Sequence, residues 1–582
     1  MSKLNIDQQT INRLFSEKKS DFLIPDYQRP YAWGIEECRT LWDDLFSFAF
    51  PDDDSSKFDA NNDEYFLGPI VTFKNSDNKL EVIDGQQRLT TLMLLLRAFY
   101  DYFKNMQDPD SIETKKSIER CIWKTDEFNK PIVDALKIDS DVATDNDKEE
   151  FLDILRNGIT SKDQKSQYAE NYKFFQDQIQ KLLNGYAGYI SYFPVRILNN
   201  CILLPIEAES QDTALRIFST LNDRGKPLSD ADIFKAQFYK YYSDKGEKNK
   251  FIAKWKELEE LCDEMFHPQT GSPMDELFTR YMYYERAKTK DAKSTTTEAL
   301  RKFYEKDSYA RLKNDAAFPN LVTLADFWKD IYNQDKQRFS DRILQKLFIL
   351  RYAPNGLWTY ALSTYFMHYK DEHGDLDEEK LYTFLNRTIA FIWAYAIYRP
   401  GVNALRTPLF AEMSNIVNDI EVTYSAYKYN TENIVNLFNA YEFNNNRPIT
   451  RSMITWYAFQ FDGQYTPSND TQFDIEHIYA KKRYDIEHGL NDKRNLESLG
   501  NKVLLEKSIN IRAADYDFKD KIKYYEGFTT ASGQKKEGTR IAELQQISKN
   551  YSDFKEIDIQ NRKNQIINSF VEYLKEMSLL DN

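Results

Sequence analysis

The feature that most constrains the fold is the stretch EVIDGQQRLTTLMLLLRAFY at residues 81–100. A short apolar run, Val82-Ile83, stops at Asp84-Gly85, and a strongly apolar helical pattern takes over from Leu89. A helix with apolar residues on almost every side has to be buried, so this junction of strand, turn and helix predicts the core of a large domain. The polar residues between the two elements need an explanation of their own.

The chain is too long for a single hydrophobic core. It has 582 residues, and single cores stop growing well below that size, so we expect several domains. Hydrophobic residues make up 41% of the chain, with 39 Tyr and 39 Phe but only 18 Gly and 17 Pro. This composition is typical of folded, largely helical cores and argues against long disordered or repetitive tracts.

Charge and cysteine spacing limit the partners and the compartment. The net charge is −14, so any contact with nucleic acid must come from local basic clusters. The four cysteines share no metal-binding or disulfide spacing, which is typical of a reduced cytoplasmic protein. The start has no apolar signal core, and the longest apolar runs fall short of the roughly 18–20 residues that cross a bilayer. We expect a cytoplasmic protein with no membrane partner.

The first 240 residues mix short strands with helices. Glu64–Phe73 and Leu80–Ile83 are β-rich runs joined by turn-forming residues at 75–78, which predicts a hairpin. The apolar run Cys201–Ile206 predicts a further strand.

Two helices are predicted after this strand. Apolar residues at 214, 215, 218 and 221 share a helical face that ends at the turn 222–225. Ser229 and Asp232 predict the capping box of the next helix. From about 241 to 440 the pattern is almost wholly helical, and its histidines have no partners at ligand spacing, so we interpret them as structural or solvated.

The texture changes again at about residue 441, where short strands and basic residues return. Between His477 and Tyr525 there are 11 Lys or Arg against 8 Asp or Glu, a positive segment in an acidic chain. That sign suits a polyanionic substrate. We therefore predict an α+β, predominantly helical protein with three domains, 1–240, 241–440 and 441–582.

Residues 474–478, DIEHI, place a histidine beside carboxylates. Cutting a phosphodiester needs a base to activate water and a hard cation to neutralise charge, and this pentapeptide supplies both kinds of group. Downstream come Gly500-Asn501, an apolar strand at Val503–Leu505 and Asn510 at a predicted helix start. The order of strand, turn, strand and helix is that of a ββα-metal arrangement.

This order resembles the HNH nuclease superfamily, in particular the C-terminal domain of GmrSD-type modification-dependent restriction enzymes, with its EHI…LGN…LL…N pattern. The resemblance implies that His477 is the general base for in-line attack of water. It implies Glu476 and Asn510 as metal-facing groups for a divalent cation, Mg²⁺ ahead of Mn²⁺ or Zn²⁺. Asn501 would orient the site, and Lys519 would meet a DNA phosphate.

Strand geometry leaves the metal ligands open. Neighbours in a regular strand point to opposite faces, so Glu476 and His477 serve one site only if the strand ends or bulges there. Otherwise Asp474 and Glu476 share a face and become the expected cation pair. The family pattern often has proline shortly after the histidine, where this chain has Ala480-Lys481. The structural alternative is that His477 pairs with Glu476 and the asparagines only shape turns.

The polar residues of the opening stretch have a functional interpretation. The start of a helix presents unpaired backbone N–H groups and a positive dipole end, which together bind anions. Gly85 allows close approach, Arg88 adds a forked cation, and Gln86 and Gln87 add neutral donors. The structural alternative is that Arg88 pairs with Asp84 and the glutamines cap the helix.

Residues 24–45 hold a second glutamine–arginine pair, Gln28-Arg29, among three aromatic residues. Tyr27, Tyr31 and Trp33 either belong to the core or stack on a base.

IPDYQRPYAW, DGQQRLTTL and LNDRGKPLSDADIFKA together resemble the N-terminal domain of the same family, which is related to the ParB/sulfiredoxin-like nucleotide-binding fold. This implies binding and hydrolysis of a nucleoside triphosphate and help in recognising modified DNA. The residues that would hold the phosphates and the cation are Asp84, Gly85, Gln86, Gln87 and Arg88, with Gln28 and Arg29 nearby.

The sequence thus predicts a modification-dependent DNA endonuclease that defends against foreign, phage DNA. The first domain would sense nucleotide, modified DNA or both, the helical middle would transmit that state, and the last domain would cut. The oligomeric state, including a homodimer, stays open. One alternative is an NTP-binding, DNA-sensing regulator with a degenerate nuclease domain, and another is a toxin-like RNase.

Overall fold

The computed structural model divides into two compact units, Met1–Glu257 and Leu258–Asn582. It describes residues 5–6, 8–18, 20–54, 58, 63–143, 145–159, 164–211, 213–214, 217, 229–289, 299–401, 403–513 and 517–581. These residues are mostly helical and include one mixed sheet, consistent with the predicted α+β class. The division into three domains stays a prediction.

A seven-stranded mixed sheet lies in the N-terminal unit. The strands of the unit are β1 (Asn5–Ile6), β2 (Gln9–Thr10), β3 (Phe22–Ile24), β4 (Tyr65–Lys74), β5 (Leu80–Asp84), β6 (Trp123–Thr125), β7 (Pro131–Leu136), β8 (Ile138–Ser140) and β9 (Cys201–Ala208). The sheet order is β1-β9-β4-β5-β3-β8, with β2 also on β9, and β6 pairs with β7 separately. The predicted hairpin is confirmed by the antiparallel pair β4–β5, and the predicted strand from Cys201 is confirmed as β9.

The apolar stretch of the opening motif forms the helix Gln86–Phe103, which begins directly after β5. Its burial is confirmed, because Leu89, Leu92 and Phe99 have no exposed surface. Each such side chain contributes about 1.5–3 kcal/mol when fully buried, so the helix start is fixed against the core. The other helices of this unit are Ile11–Ser16, Ile35–Ala49, Pro109–Ile122, Lys148–Asn157, Gln167–Tyr186, Tyr192–Asn200 and Asp230–Asp244.

The predicted capping box at Ser229 is confirmed. Ser229 Oγ accepts the Asp232 N–H at 3.1 Å, and the Asp232 carboxylate accepts the Ser229 N–H at 2.9 Å. Residues 215, 216 and 218–228 lie outside the described residues. The predicted turn at 222–225 and much of the third N-terminal motif fall among them.

The described residues from 241 to 440 are mostly helical, as the sequence predicts. No helix in the described ranges combines the length and apolar character needed to cross a membrane. The helices from this segment to residue 458 are Lys248–Met265, Pro273–Lys288, Leu300–Tyr309, Ala317–Tyr332, Asp341–Leu350, Leu357–Tyr369, Glu378–Tyr398, Arg406–Ile416, Thr431–Ala440 and Pro448–Ala458.

Strands return after residue 470, but where the sequence predicts a turn between the first two strands, the chain forms the helix Lys481–Glu487 and further short helical turns. The strands are β10 (Phe473–His477), β11 (Lys502–Glu506), β12 (Gly527–Thr529) and β13 (Lys535–Glu537). β10 and β11 pair antiparallel without a bulge, and β12 pairs with β13. Asn510 is the fourth residue of the short helix Lys507–Ala513, one turn later than predicted. The remaining helices are Lys481–Glu487, Phe518–Glu526, Ala542–Asn550 and Glu556–Glu576.

Candidate active site

Strand β10 presents its side chains alternately to two faces. It is regular through His477, whose backbone lies opposite Lys502 of β11. Asp474 and Glu476 therefore share one face, and His477 points to the other. Side-chain contacts agree with this alternation, since Glu476 touches helix Phe518–Glu526 and His477 lies beside Glu497.

The structure brings Asp474 and Asn510 together. The Asn510 Nδ2 group donates to Asp474 Oδ2 at 3.3 Å, and both side chains are partly exposed. A carboxylate and a carboxamide oxygen are hard ligands of the kind that Mg²⁺ and Ca²⁺ prefer. This pair is the accessible part of the predicted metal site.

Glu476 lies deeper, in a buried polar cluster. Its Oε1 accepts hydrogen bonds from Lys521 Nζ at 2.6 Å and from the Tyr525 hydroxyl at 2.8 Å. Lys521 Nζ also donates to the His477 main-chain oxygen at 2.7 Å. Burial, with the Glu476 charge beside it, raises the pKa of Tyr525 well above its ordinary value, so the phenol stays protonated and donates. One ammonium group thus ties together the two residues that carry the predicted chemistry.

Lys521 is not among the site residues predicted from the sequence. The predicted residue, Lys519, is exposed two positions earlier in the same helix. Phe518, Lys521 and Tyr525 form the buried face of helix Phe518–Glu526, at the spacing expected of a helix. Lys521 could have been predicted from the sequence, because it interrupts an otherwise apolar stripe of the helix and a buried lysine needs an anionic partner.

The His477 ring is neutral near pH 7. Burial lowers the pKa of His477 to about 4, against the attraction of Glu497. Nε2 lies 3.6 Å from Glu497 Oε2, too far for a hydrogen bond, and has no hydrogen-bond partner among the described residues. Nε2 is itself buried. A neutral imidazole nitrogen that holds no proton and has no donor bonded to it is the state that a general base requires.

Glu497 is held ionised beside that ring. Although partial burial opposes ionisation, hydrogen bonds from Lys481 and Lys502 lower the pKa of Glu497 to about 2. Lys502 Nζ lies 2.7 Å from the carboxylate, and Lys481 also pairs with it. His477 therefore faces a carboxylate whose charge is already balanced.

Asn501 joins the two strands just beyond His477. Its Oδ1 accepts the Tyr479 N–H at 2.7 Å, and its Nδ2 donates to the main-chain oxygens of Tyr479 and Leu496, both at 3.0 Å. The Ile478 N–H donates to the Asn501 main-chain oxygen at 2.9 Å. Both functional atoms of the side chain are used in holding backbone, so Asn501 fixes where β10 ends.

Arg562 braces the same turn from the last helix. Its Nη1 donates to the main-chain oxygens of Leu499, Gly500 and Lys502 at 3.2, 3.0 and 2.8 Å. Gly500 leaves room for this approach, since a Cβ there would lie 1.9 Å from the Ile559 carbonyl oxygen.

In the N-terminal unit, the predicted phosphate site is cross-braced by its glutamines. Gly85 begins the helix with φ of 91°, a conformation that favours glycine. Gln87 Oε1 accepts the N–H groups of Ala32 and Trp33 at 2.7 and 3.2 Å. Gln28 Nε2 donates to the main-chain oxygens of Val82 and Ile83 at 3.3 and 3.2 Å. The two glutamine–arginine motifs therefore lie against each other.

The charged residues of this junction gather at the same place. Arg88 Nη1 donates to the Pro69 carbonyl oxygen at 2.9 Å, and its guanidinium lies 3.0 Å from the position of a Cβ on Gly68, whose φ is +120°. Burial raises the pKa of Asp84, opposed by the Gly85 N–H and by the charges of Arg88 and Arg29. Gln86 is also buried.

Tyr27 and Tyr31 are core side chains in this structure. The Tyr31 hydroxyl lies 2.7 Å from Thr91 Oγ1, and its ring stacks on Tyr168 with centroids 4.7 Å apart. Tyr27 is 4% exposed and packs on Tyr239 at 4.8 Å. Trp33 is the partly exposed member of the three.

Two features of the described residues bear on the class of protein. A strand ending in a neutral histidine carries two carboxylates on its other face, with a carboxamide from the following helix beside one of them. A separate unit carries a strand–turn–helix junction with arginines around a buried aspartate. The first feature offers the kinds of group that cutting a phosphodiester requires, a base and possible cation ligands.

A family model described as the N-terminal domain of GmrSD restriction endonucleases matches residues 11–239. A second model, for the C-terminal domain of the same enzymes, matches residues 423–569. The chain belongs to the GmrSD restriction endonuclease family. No curated protein matches it. Family membership supports a restriction endonuclease role, with DNA as the substrate.

Proposed function

We propose that the protein cuts modified foreign DNA in a cation-dependent reaction in which His477 is the base. The observation that carries this proposal is that His477 Nε2 has no hydrogen-bond partner among the described residues, at the end of a strand whose other face carries carboxylates. In-line attack places the incoming water and the leaving oxygen on opposite sides of phosphorus. His477 on one face of the strand end would activate the water, and the carboxylates on the other face would hold the cation near the leaving oxygen.

The basicity of His477 suits a substrate that is itself an anion. A pKa of about 4 makes the free ring a weak base. A DNA phosphate beside the ring stabilises the imidazolium and raises that pKa toward neutrality. His477 then takes the proton of the attacking water, while Lys521 holds its main-chain oxygen and Asn501 holds the backbone of the two residues that follow it.

The residues on the Asp474 face fit a divalent cation. No group of three or more His, Cys, Asp or Glu side chains in the described ranges is arranged to hold an ion. Mg²⁺, however, commonly uses one or two carboxylates and takes its other ligands from water and substrate phosphate. Asp474 and Asn510 would hold the ion, with Glu476 on the same face, and the ion would neutralise charge on the phosphate and the leaving oxygen.

We further infer that the N-terminal unit binds a nucleoside triphosphate at the start of helix Gln86–Phe103. A helix start and the nearby charges of Arg88 and Arg29 favour phosphate, and Asp84 offers a carboxylate for its cation. Gln28 and Gln87 contribute by holding the two loops together, because their amides bond to backbone.

The test is a cleavage assay with His477→Ala. We expect DNA binding close to that of the unaltered protein and loss of cutting by at least about a hundredfold, the contribution of a general base. His488→Ala is the matched control, since His488 is exposed in the neighbouring segment and lies outside the proposed site. Matched plain, methylated and glycosylated DNAs, each with and without NTP and chelator, test modification and nucleotide dependence. Undiminished cutting by His477→Ala removes that residue from the mechanism.

A second candidate is an NTP-binding DNA sensor that no longer cuts. It is favoured by one observation: Glu476, a predicted metal ligand, already receives Lys521 and Tyr525 on Oε1. Tight binding of modified DNA with no cutting in Mg²⁺, Mn²⁺ or Zn²⁺ would support this candidate.

A further inference from the structure

The C-terminal unit contains a cavity that the proposed nuclease chemistry does not use. Its volume is about 270 Å³, near the lower end of the roughly 300–1,000 Å³ of small-molecule sites. Its walls are mainly aromatic and aliphatic, and they include Phe266, Trp328, Tyr332, Phe348 and Trp358. A space of this size suits one small flat organic group.

A buried arginine lines this cavity. Arg280 is 8% exposed, and its Cζ lies 4.3 Å from the ring centre of Phe266 and 4.0 Å from that of Trp328. Nε donates to Glu276 at 2.9 Å, whereas Nη1 is buried with no acceptor among the described residues. Burial lowers the pKa of Arg280, with Glu276 opposing. Guanidinium donors lie in the plane of the group, so contact with ring faces leaves them available to an acceptor edge.

The charge at the cavity has one sign. Arg280 and Arg351 line it, and none of the described lining residues is Asp or Glu. This is a local exception in a chain of net charge −14. The aromatic walls disfavour a small, strongly hydrated inorganic anion, so the cavity suits an aromatic group that carries acceptors and is attached to an anion.

The cavity is joined to the strand that carries the predicted metal ligands. Phe348 lines it, and its ring centre lies 6.2 Å from that of Phe473, the first residue of β10. Arg351 donates to Asn469 Oδ1 at 2.6 Å and to the Asn469 main-chain oxygen at 2.9 Å, and both residues line the cavity. A group seated here would contact the side chains that support β10.

We propose that this cavity receives one base turned out of the DNA. Arg280 donates to the acceptor edge of the base, and the ring of the base packs against Trp328 and Trp358. Proteins that act on or inspect single bases draw them from the stack into aromatic pockets of this kind, and arginine pairs with acceptor edges in the plane of a base. The proposal rests on DNA being the substrate. It gives the site a means to sense a base modification beside the cutting strand.

The experiment measures binding of the full chain to a short duplex with 2-aminopurine beside one plain, methylated or glycosylated cytosine, in chelator so that no cutting occurs. We expect 2-aminopurine fluorescence to rise on binding, as it does when its neighbour leaves the stack. Arg280→Met, which keeps the aliphatic stem, should weaken binding at least tenfold and abolish the rise. Arg286→Met is the matched control, because Arg286 is a buried arginine of the same helix over the ring of Phe410 and does not line the cavity.

A second variant guards against misfolding. Ile331→Trp narrows the cavity from its wall without removing charge and should have the same effect as Arg280→Met, with thermal unfolding checked for all three variants. No fluorescence rise with the unaltered chain, or equal binding by Arg280→Met and Arg286→Met, overturns the proposal. Competition by free dCMP or by benzoate, without a fluorescence rise on DNA, overturns it in favour of a free small ligand. Parallel assays with Mg²⁺ distinguish the two proposals. Cutting without a fluorescence rise contradicts only the proposal that the cavity receives a base. A fluorescence rise without cutting contradicts only the proposed nuclease activity.

Discussion

Lys521→Met tests whether the Lys521–Glu476 pair holds the end of β10. The two side chains are 2% and 6% exposed, and their charged atoms lie 2.6 Å apart. Removing one partner of a buried ion pair leaves the other charge uncompensated, so we expect the free energy of unfolding to fall by about 3–5 kcal/mol. Lys519→Met, on the exposed side of the same helix, should change it by less than about 0.5 kcal/mol.

The double variant Lys521→Met/Glu476→Gln isolates the charge interaction. Once both charges are gone no buried charge remains unpaired, so this variant should be more stable than Lys521→Met alone. Urea unfolding, followed by tryptophan fluorescence and circular dichroism, measures the free energy of unfolding of the C-terminal unit in each variant. If Glu476 also binds a cation, added Mg²⁺ should raise the melting temperature of Lys521→Met more than that of the unaltered protein. A loss below about 1 kcal/mol for Lys521→Met, or no difference from Lys519→Met, would refute the reasoning.

Two further predictions concern the same region. Gly500→Ala should lower the free energy of unfolding by about 3 kcal/mol, because its Cβ would lie 1.9 Å from the Ile559 carbonyl oxygen. Gly356→Ala is the control, since a Cβ there meets open space and should not lower stability. Thermal unfolding of the two variants measures the difference. Between pH 6.5 and pH 4 the unfolded chain binds a proton at residue 477 and the folded chain does not, so stability should fall as pH falls, by up to about 3 kcal/mol. Urea unfolding across this pH range, with a chelator present, should show a smaller fall in stability for His477→Gln than for the unaltered protein. Equal dependence of stability on pH in the two proteins would contradict the lowered pKa of His477.

Patterns along the chain predict the elements that depend on local chemistry. The β4–β5 hairpin follows from two β-rich runs around turn residues, and the Ser229 cap follows from a hydroxyl three residues before a carboxylate. Alternation along a strand also predicts that Asp474 and Glu476 share a face once β10 is regular. These inferences succeed because the interacting groups lie within a few residues of one another.

Contacts between distant segments are beyond such patterns. Lys521 reaches Glu476, Asn510 reaches Asp474, and Arg280 lines a cavity with Phe348, across 45, 36 and 68 positions of the printed sequence. Which polar group is desolvated, and which charge meets it, depends on how helices pack on the strand. The sequence alone thus established the family motifs and the order of elements, but the protonation of His477 and the partners of its neighbours arise only when the folded chain excludes water from them.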